Sequence, residues 1–241
     1  MPTGIGAIAF RRSGGLIAGM QNGFALIDLE KETVKPFHDP EPTMPENRLN
    51  DGKCDQQGRF WCGSRDADGK NPTGSLYRVD PDLSVHCLDT GIIISNAMAF
   101  SPTEPILIYG DSTGETIYKY DFDGARGAVS NRRVFLDTRN VPWRVDGANF
   151  DSEGYYWCAL VYDWSIARFA PDGRLDRLIL GQRRIVMLQQ IPQLRLDQVI
   201  LNRAQTLRAL GMVAAAVMQQ AVGMGDEGNR HQATLGARIG L

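Results

Sequence analysis

Two asparagines and one aspartate recur at nearly constant intervals in this chain. Asn50, Asn96 and Asp146 are separated by 46 and 50 residues, and each precedes a short apolar segment by eight or nine residues. Oxygen atoms of Asn and Asp side chains are ligands that hard divalent cations such as Ca²⁺, Mg²⁺ or Mn²⁺ prefer. If the three positions converge, they predict a divalent-cation site. The alternative is that they are turn residues before a strand, since Asn50-Asp51-Gly52 and Asp146-Gly147 are good turn signals.

An internal repeat accompanies these residues over positions 1–180. Four similar segments begin at Gly14, Gly58, Pro105 and Gly154, with successive offsets of 44, 47 and 49 residues. Each segment is rich in β-branched or aromatic residues and is followed by a second short run, a pattern typical of strands. A period of about 40 to 50 residues with several strands per unit indicates the blades of a β-propeller. A β-sandwich, the alternative, would show regular turns without this longer period.

The propeller interpretation connects the repeat with the chemistry. Blades surround an axis, so one position that recurs in successive blades lines the central channel. Asn50, Asn96 and Asp146 occupy such a position in three repeats, and the equivalent residue of the first repeat is Gly6. The first repeat is therefore expected to contribute no ligand.

Composition and charge exclude other classes of protein. The 241 residues include 26 Lys and Arg against 28 Asp and Glu, and the net charge of −2 provides no basic field for nucleic acid. The four cysteines form no CxxC pair, which favours reduced thiols and a cytoplasmic location. No apolar run approaches the roughly 18 residues of a membrane span, and no secretory signal is evident. We expect neither a nucleic-acid partner nor membrane association.

Residues 181–241 have a different composition from residues 1–180. They contain no aromatic residue and no lysine but nine glutamines and seven arginines, and their net charge is +4 against −6 for the preceding part. Their apolar residues follow a helical spacing, so the segment is predicted to be a helical or disordered tail outside the propeller domain of residues 1–180. The composition is typical of a shifted reading frame in GC-rich DNA. A genuine added domain and an amphipathic helix packed on the propeller or on a partner are the alternatives.

Several motifs, taken in order, resemble one protein family. Residues 47–55 read NRLNDGKCD and residues 58–63 read GRFWCG, followed by Ile94-Ser95-Asn96, by VDG at 145–147 and by DSEGYYWCA at 151–159. Over roughly residues 10–178 they closely resemble the senescence marker protein, gluconolactonase and luciferin-regenerating enzyme family, which includes regucalcin. The resemblance implies an all-β, six-bladed β-propeller that carries one divalent metal ion on its axis and hydrolyses sugar lactones.

The resemblance also implies a role for each site residue. Asn96 and Asp146 would be metal ligands, and Asp146 would also be the general base. Arg48 and Asn50 would contact the substrate, with a further contact near Asp68, so Asn50 is better placed facing substrate than as a third ligand. The metal ion, whether Ca²⁺, Zn²⁺, Mn²⁺ or Mg²⁺, would polarise the lactone carbonyl and activate water. Asp146 would take the proton, while Arg48 and Asn50 would donate hydrogen bonds to sugar hydroxyls and the developing oxyanion.

Two departures from the family pattern are expected. The family takes a glutamate ligand from a first blade, but only 47 residues precede Arg48 here and the first glutamate is Glu30, so that blade is expected to be missing. Family members continue after residues 170–173 with another strand-rich blade, which residues 181–241 do not resemble. The propeller is therefore expected to be incomplete at both ends. The alternative function is a non-catalytic calcium-binding or scaffold propeller that lost its activity through truncation.

Overall fold

Short runs of β-branched and aromatic residues, separated by turns with Gly, Asp and Pro, form antiparallel strands. The structure, a computed structural model, describes residues 4–180 together with residues 199–200. Within those residues every regular element is a strand and no helix is present. The prediction of an all-β protein is confirmed.

Four sheets follow one another along the chain, and each contains a meander of four antiparallel strands. Sheet 1 consists of β1 (Ile5–Phe10), β2 (Leu16–Met20), β3 (Gly23–Asp28) and β4 (Thr33–His38). Sheet 2 consists of β5 (Asn47–Cys54), β6 (Phe60–Asp66), β7 (Gly74–Val79) and β8 (Val85–Ile92). Sheet 3 consists of β9 (Ser95–Phe100), β10 (Ile106–Asp111), β11 (Thr116–Asp123) and β12 (Ala128–Asp137). Sheet 4 consists of β13 (Arg144–Phe150), β14 (Tyr156–Val161), β15 (Ser165–Phe169) and β16 (Leu175–Leu180).

A short strand from the predicted tail joins sheet 4. This strand, β17 (Val199–Ile200), pairs in parallel with β16. Residues 181–198 and 201–241 lie outside the described part of the chain. The helical or disordered character predicted for 181–241, and its separation from a domain of residues 1–180, therefore stay predictions.

The repeated sequence segments are the second and third strands of the sheets. Between the first and second strands of sheets 2 and 4, Asp55 and Asp151 each accept a hydrogen bond from the indole nitrogen of the tryptophan six residues later, at 3.0 and 2.8 Å. Gly58 and Gly154 in the same turns have φ of +82° and +81°, a region that glycine enters without strain. In sheets 2 and 4 the repeat thus extends to the turn before the second strand, which is built in the same way in both.

Hydrophobic cores lie between consecutive sheets. Phe24 of sheet 1 packs with Phe60 of sheet 2, and Trp61, the next residue, faces the opposite side and packs with Leu107 of sheet 3. A further core joins sheets 3 and 4 and includes Ile108 and Phe169. Because neighbouring residues of a strand point to opposite faces, sheet 2 buries one face against each neighbour.

The first strands of the sheets are the inner strands of the arrangement, and they lie against one another. β1 contacts β5, β5 contacts β9, and β9 contacts β13. Sheets that meet at their first strands and pack face to face have the arrangement of propeller blades around a channel. The four sheets agree with the predicted propeller, while a total of six blades remains a prediction.

No helix in the described residues is long and apolar enough to cross a membrane. All four cysteines are free thiols, and Cys62 and Cys158 are buried in the cores.

Candidate functional site

A β-bulge interrupts the first strand of every sheet where the repeat placed its polar residues. The pairing with the second strand shifts between Ile5 and Ala7, between Leu49 and Gly52, between Asn96 and Ala99, and between Val145 and Ala148. Gly6, Asn50 and Asp146 lie within these shifts, and Asn96 begins one. They therefore lie inside strands and not in turns before them. A bulge re-aims side chains out of the regular alternation, and bulges are frequent beside active sites.

Steric contact explains why sheet 1 has a glycine at this position. A Cβ atom on Gly6 would lie 2.3 Å from the Leu49 carbonyl oxygen and 2.4 Å from that of Asn50. No side chain fits into such a space, so β1 can approach β5 this closely only with glycine there. Sheet 1 therefore contributes backbone packing behind Asn50.

A chain of hydrogen bonds connects the bulges of sheets 2, 3 and 4. The side-chain nitrogen of Asn50, Nδ2, donates to the Ser95 carbonyl oxygen at 2.8 Å and to Asn96 Oδ1 at 3.0 Å. Asn96 Nδ2 donates to Ser112 Oγ at 2.9 Å, and Ser112 Oγ donates to the Val145 carbonyl oxygen at 2.6 Å. These contacts bring Asn50 and Asn96 together and link both to the strand that carries Asp146.

The same contacts change the role expected of Asn50. Its amide group has two hydrogens, and the contacts to Ser95 and Asn96 use both. What Asn50 can offer to a ligand is therefore its side-chain oxygen, an acceptor. The expected donation from Asn50 to a substrate therefore conflicts with its contacts in the described structure, while donation from Arg48 stays a prediction.

Two further charged residues, Asp51 and Lys53, lie in the channel beside Asp146. Both are half-buried, whereas Asp146 is exposed. Burial raises the pKa of Asp51, the negative charge of Asp146 adds to that effect, and the positive charge of Lys53 opposes it. Burial also lowers the pKa of Lys53 to about 8, against the opposing effect of Asp51. This part of the channel thus contains two carboxylates and one ammonium group.

Arg48 lies near the start of β5, and it lines a cavity together with a buried carboxylate. Arg48, Glu41 and Asn47 line a cavity of about 270 Å³. Glu41 accepts hydrogen bonds from Asn47 Nδ2 at 3.0 Å, Ser64 Oγ at 2.6 Å and the Tyr77 hydroxyl at 2.8 Å. Three donors to one buried carboxylate fix the loop before β5 and hence the backbone that carries Arg48.

Asp68 is an exposed residue of sheet 2. It belongs to the loop between β6 and β7, its side chain is 73% exposed, and it forms an ion pair with Lys70 at 3.4 Å. The structure brings Asn50 and Asn96 into contact and places Asp146 on the adjoining strand, but it does not bring Asp68 to them. A role for Asp68 stays a prediction.

A turn with two aromatic residues lies at the end of sheet 4 where β13 begins. Val161 pairs with Arg144, so the turn of residues 162–164 follows directly at this end. Tyr162 and Trp164 are 73% and 64% exposed. Their φ angles of 70° and 53° are in the left-handed region, which bulky residues rarely adopt.

The side-chain oxygen atoms at the bulges are of the type that a hard divalent cation binds. Asn96 Oδ1 accepts one hydrogen bond and keeps a second lone pair, and Asp146 adds a carboxylate on the next inner strand. The excess of carboxylates over ammonium groups also favours a cation. In residues 4–180 no three His, Cys, Asp or Glu side chains are grouped for metal binding. Asn96 and Asp146 together would supply only part of the about six to eight oxygen atoms that Ca²⁺ takes.

Asp51, Lys53 and Ser112 were not identified from the sequence. Asp51 and Lys53 are two residues apart within the motif of residues 47–55, and this strand spacing beside Asn50 was the signal that could have found them. Ser112 had no such signal, because it follows β10 and reaches Asn96 only once β9 and β10 pair.

The four sheets and the polar residues of their bulged inner strands define a propeller protein with a candidate site on its channel. Residues 1–188 match the family model described as the SMP-30/Gluconolactonase/LRE-like region, and the chain belongs to this family. The resemblance stated from the motifs is confirmed.

Individual relatives are similar over most of this chain. It is 33% identical to the 6-deoxy-6-sulfogluconolactonase of Pseudomonas putida over 190 residues, covering 76% of this chain and 63% of that protein. It is also 33% identical to regucalcin of Xenopus laevis over 173 residues, covering 70% and 58% of the two chains. A solved structure of regucalcin from Agrobacterium tumefaciens, described as a calcium-binding protein, has the same fold with a TM-score of 0.69 and 24% identity, covering 74% and 60%. The chain thus spans about three-fifths of the length of these relatives.

Proposed function

We propose that this protein hydrolyses sugar lactones with the help of one divalent cation. The observation that carries the proposal is the contact at 3.0 Å between Asn50 and Asn96, at bulge positions equivalent to that of Asp146. Membership of the gluconolactonase family supports this choice. The relative named a sulfogluconolactonase supports a sugar lactone as the substrate class.

Asn96 and Asp146 are the residues that would hold the cation. Both present oxygen atoms, and the hydrogen bond from Asn96 to Ser112 fixes which end of the amide can face a ligand. A divalent cation bound there would polarise the lactone carbonyl and make water more acidic. Ca²⁺, Mg²⁺, Mn²⁺ and Zn²⁺ all remain candidates, since each accepts oxygen ligands.

The protein's own residues then perform the acid–base steps. Asp146 accepts a proton from the water whose oxygen attacks the lactone carbonyl carbon. The bond between that carbon and the ring oxygen breaks, and the departing oxygen takes the proton back from Asp146, which leaves an open-chain hydroxy acid and restores the carboxylate. Arg48 donates hydrogen bonds to the developing oxyanion or to sugar hydroxyls, and Asn50 accepts one from a hydroxyl group.

The test combines removal of the cation with removal of Asp146. We expect the purified chain to hydrolyse an aldonolactone, to lose this activity with a chelator, and to regain it with one of the four cations. Asp146→Ala is expected to lower kcat by about 100-fold to 10,000-fold, the usual contribution of a general base. Asp172→Ala is the matched control, because Asp172 lies in the exposed turn before β16 and accepts a hydrogen bond only from a nearby backbone amide in the described structure.

Two outcomes would contradict the proposal. Binding of a cation without any lactone turnover would favour a calcium-binding or scaffold role. Full activity of Asp146→Ala would remove Asp146 from the reaction, and unchanged cation affinity in that variant, measured by calorimetry, would remove it from the ligand set.

A further inference from the structure

Asp51 and Lys53 each contact a different neighbouring inner strand. Asp51 Oδ2 accepts a hydrogen bond from the Met98 backbone nitrogen at 3.3 Å. Lys53 Nζ donates a hydrogen bond of 2.7 Å to the Ala148 carbonyl oxygen. Met98 follows Asn96 by two residues, and Ala148 follows Asp146 by two residues. The two side chains of β5 therefore reach equivalent points on the strands that carry the two proposed cation ligands.

These contacts fall where the strands are irregular. Met98 lies within the bulge of β9, and Ala148 ends the bulge of β13. Bulges leave backbone groups without a partner in the strand ladder, so a side chain can decide how the bulged segment lies. Asp51 holds the bulge of β9 through an amide hydrogen, and Lys53 holds the bulge of β13 through a carbonyl oxygen.

Packing alone does not explain why charged groups make these contacts. A buried charge costs free energy unless it is paired, and apolar residues of similar size often serve stability as well or better. Among charged neighbours, Lys53 has the largest effect on the pKa of Asp51, and Asp51 has the largest effect on the pKa of Lys53. Cysteine and tyrosine side chains around the pair, including Cys62 and Tyr156, are uncharged at neutral pH because burial raises their pKa.

We infer that Lys53, with Asp51 as its counter-ion, is a positioning residue that sets the separation between Asn96 and Asp146. The role rests on the proposed function, because it serves the cation site and the general base. This role predicts that loss of the Lys53 ammonium group displaces some site residues and leaves others in place. Arg48 and Asn50 lie on β5 itself and keep their places without the Lys53 ammonium group, whereas Asp146 on β13 loses its support.

The experiment replaces Lys53 by methionine, which keeps the unbranched stem and removes the donor and the charge. We expect Lys53→Met to lower kcat by about tenfold to a hundredfold, as small misplacements of catalytic groups do, with little change in KM. Its affinity for Mn²⁺ alone, measured by calorimetry, is expected to fall by about tenfold. Lys31→Met is the matched control, since Lys31 is exposed and forms only a surface ion pair with Asp28 in the described structure.

A second variant separates positioning from stability. Lys53→Met leaves Asp51 without its counter-ion and is expected to lower the melting temperature. The double variant Asp51→Asn with Lys53→Met has neither charge, so its melting temperature should recover while kcat and Mn²⁺ affinity stay low. If activity and Mn²⁺ affinity recover together with the melting temperature, the role is structural and the inference is wrong.

The outcomes also distinguish this inference from the proposed function. Wild-type turnover combined with a Lys53→Met variant that behaves like Lys31→Met would overturn the inference alone. Mn²⁺ binding without wild-type turnover would overturn the lactonase proposal, and the positioning role would then stand or fall on the Mn²⁺ affinity of Lys53→Met. A wild-type chain with neither turnover nor Mn²⁺ binding would overturn both.

Discussion

One backbone position of the inner strands supports different side chains according to what surrounds it. At Gly6 the backbone of β5 leaves no space for a side chain. At Asn50 an amide fits, and its two hydrogens are used to hold the neighbouring strand through Ser95 and Asn96. At Asp146 the side chain is exposed and its carboxylate is open to a ligand. The chemistry of the site thus depends on how closely each inner strand is packed at its bulge.

The proposed substrate contact of Arg48 leads to a prediction at the residue scale. Arg48→Ala is expected to lower kcat/KM for an aldonolactone by about tenfold to a hundredfold, because a charge-assisted hydrogen bond contributes about 1.5 to 3 kcal/mol. Cation affinity should be unchanged, since Arg48 holds no proposed ligand. Steady-state kinetics and calorimetry measure the two effects. The control is Arg139→Ala, which removes an exposed ion pair with Asp137, and an equal loss of cation affinity in Arg48→Ala would contradict the assignment.

The depressed pKa of Lys53 leads to a second prediction, on stability and pH. Burial lowers this pKa from 10.5 to about 8 in the folded protein. Between these values the unfolded chain binds the lysine proton and the folded protein does not, so the Lys53 contribution to the free energy of unfolding increases as pH rises. The increase should be on the order of 1 to 3 kcal/mol between pH 8 and 10.5.

Lys53→Met isolates this contribution from those of other groups. Burial raises the pKa of Cys54 to about 11 and of Cys158 to about 12, and these thiols have the opposite effect on stability at high pH. Denaturant unfolding across the pH range should therefore be compared between wild type, Lys53→Met and the exposed-lysine control Lys31→Met. A difference between wild type and Lys53→Met that is flat with pH would contradict the prediction.

Spacing in the sequence predicted the residues that recur, and it could not predict those whose partners lie on another sheet. Asn50, Asn96 and Asp146 were found because the bulge recurs with the period of the repeat. Glu41 gave no such signal, since it belongs to a loop and meets its donors Ser64 and Tyr77 only after sheet 2 has formed. Asn50 was assigned as a donor because its amide has hydrogens to offer, and only the fold shows where those hydrogens go.

At the scale of the elements, the close approach of β1 and β5 is the feature most sensitive to change. Gly6→Ala is expected to cost about 1 to 3 kcal/mol, the usual cost of overpacking, because the new Cβ would meet two backbone oxygen atoms that cannot rotate away. The strain falls on Asn50, so kcat/KM for the lactone should fall as well. Thermal unfolding and kinetics provide the measurements.

Gly4→Ala is the matched control for this change. Gly4 is two residues away, just before β1, and a Cβ there would meet nothing within 4 Å. Equal stability of the Gly4 and Gly6 variants would show that β1 can move away from β5 at little cost.

The strands differed in how well the sequence predicted them. The second and third strands are buried on both faces in most sheets and gave strong apolar runs, as in β10, where every residue is buried. The fourth strands of sheets 1 to 3 gave weak signals, because nearly all of their residues are exposed or half-buried. β12 has no buried residue along its ten positions, and a polar stretch at 130–133 interrupts its apolar residues. Pairing with β11 and not an apolar pattern makes it a strand.

At the scale of the whole molecule, the stability of each sheet depends on its neighbours, because the hydrophobic cores are shared between sheets. Leu107 is fully buried in the core between sheets 2 and 3. Leu107→Ala is expected to lower the free energy of unfolding by about 2 to 5 kcal/mol through lost burial and a residual cavity. Because sheet 2 also packs on sheet 1 and sheet 3 on sheet 4, circular dichroism and tryptophan fluorescence should report the same shifted transition. Val134→Ala on β12, at a site 61% exposed, is the control.

A separate early transition for sheet 3 in Leu107→Ala would contradict this dependence. It would mean that each sheet unfolds on its own, with the shared cores contributing little to cooperativity.

The exposed turn of sheet 4 contains a tryptophan that can serve as an intrinsic fluorescence probe. Trp164 is 64% exposed, whereas Trp61 is fully buried, and Trp143 and Trp157 are half-buried. Acrylamide or iodide in solution should therefore quench Trp164 first and remove the long-wavelength side of the emission spectrum. Since residues 162–164 lie at the end of sheet 4 where β13 begins, this emission reports on the surroundings of Asp146 without any added dye. Titration of an unmodified ligand can then be followed by fluorescence, with Trp164→Phe as the spectrum to subtract.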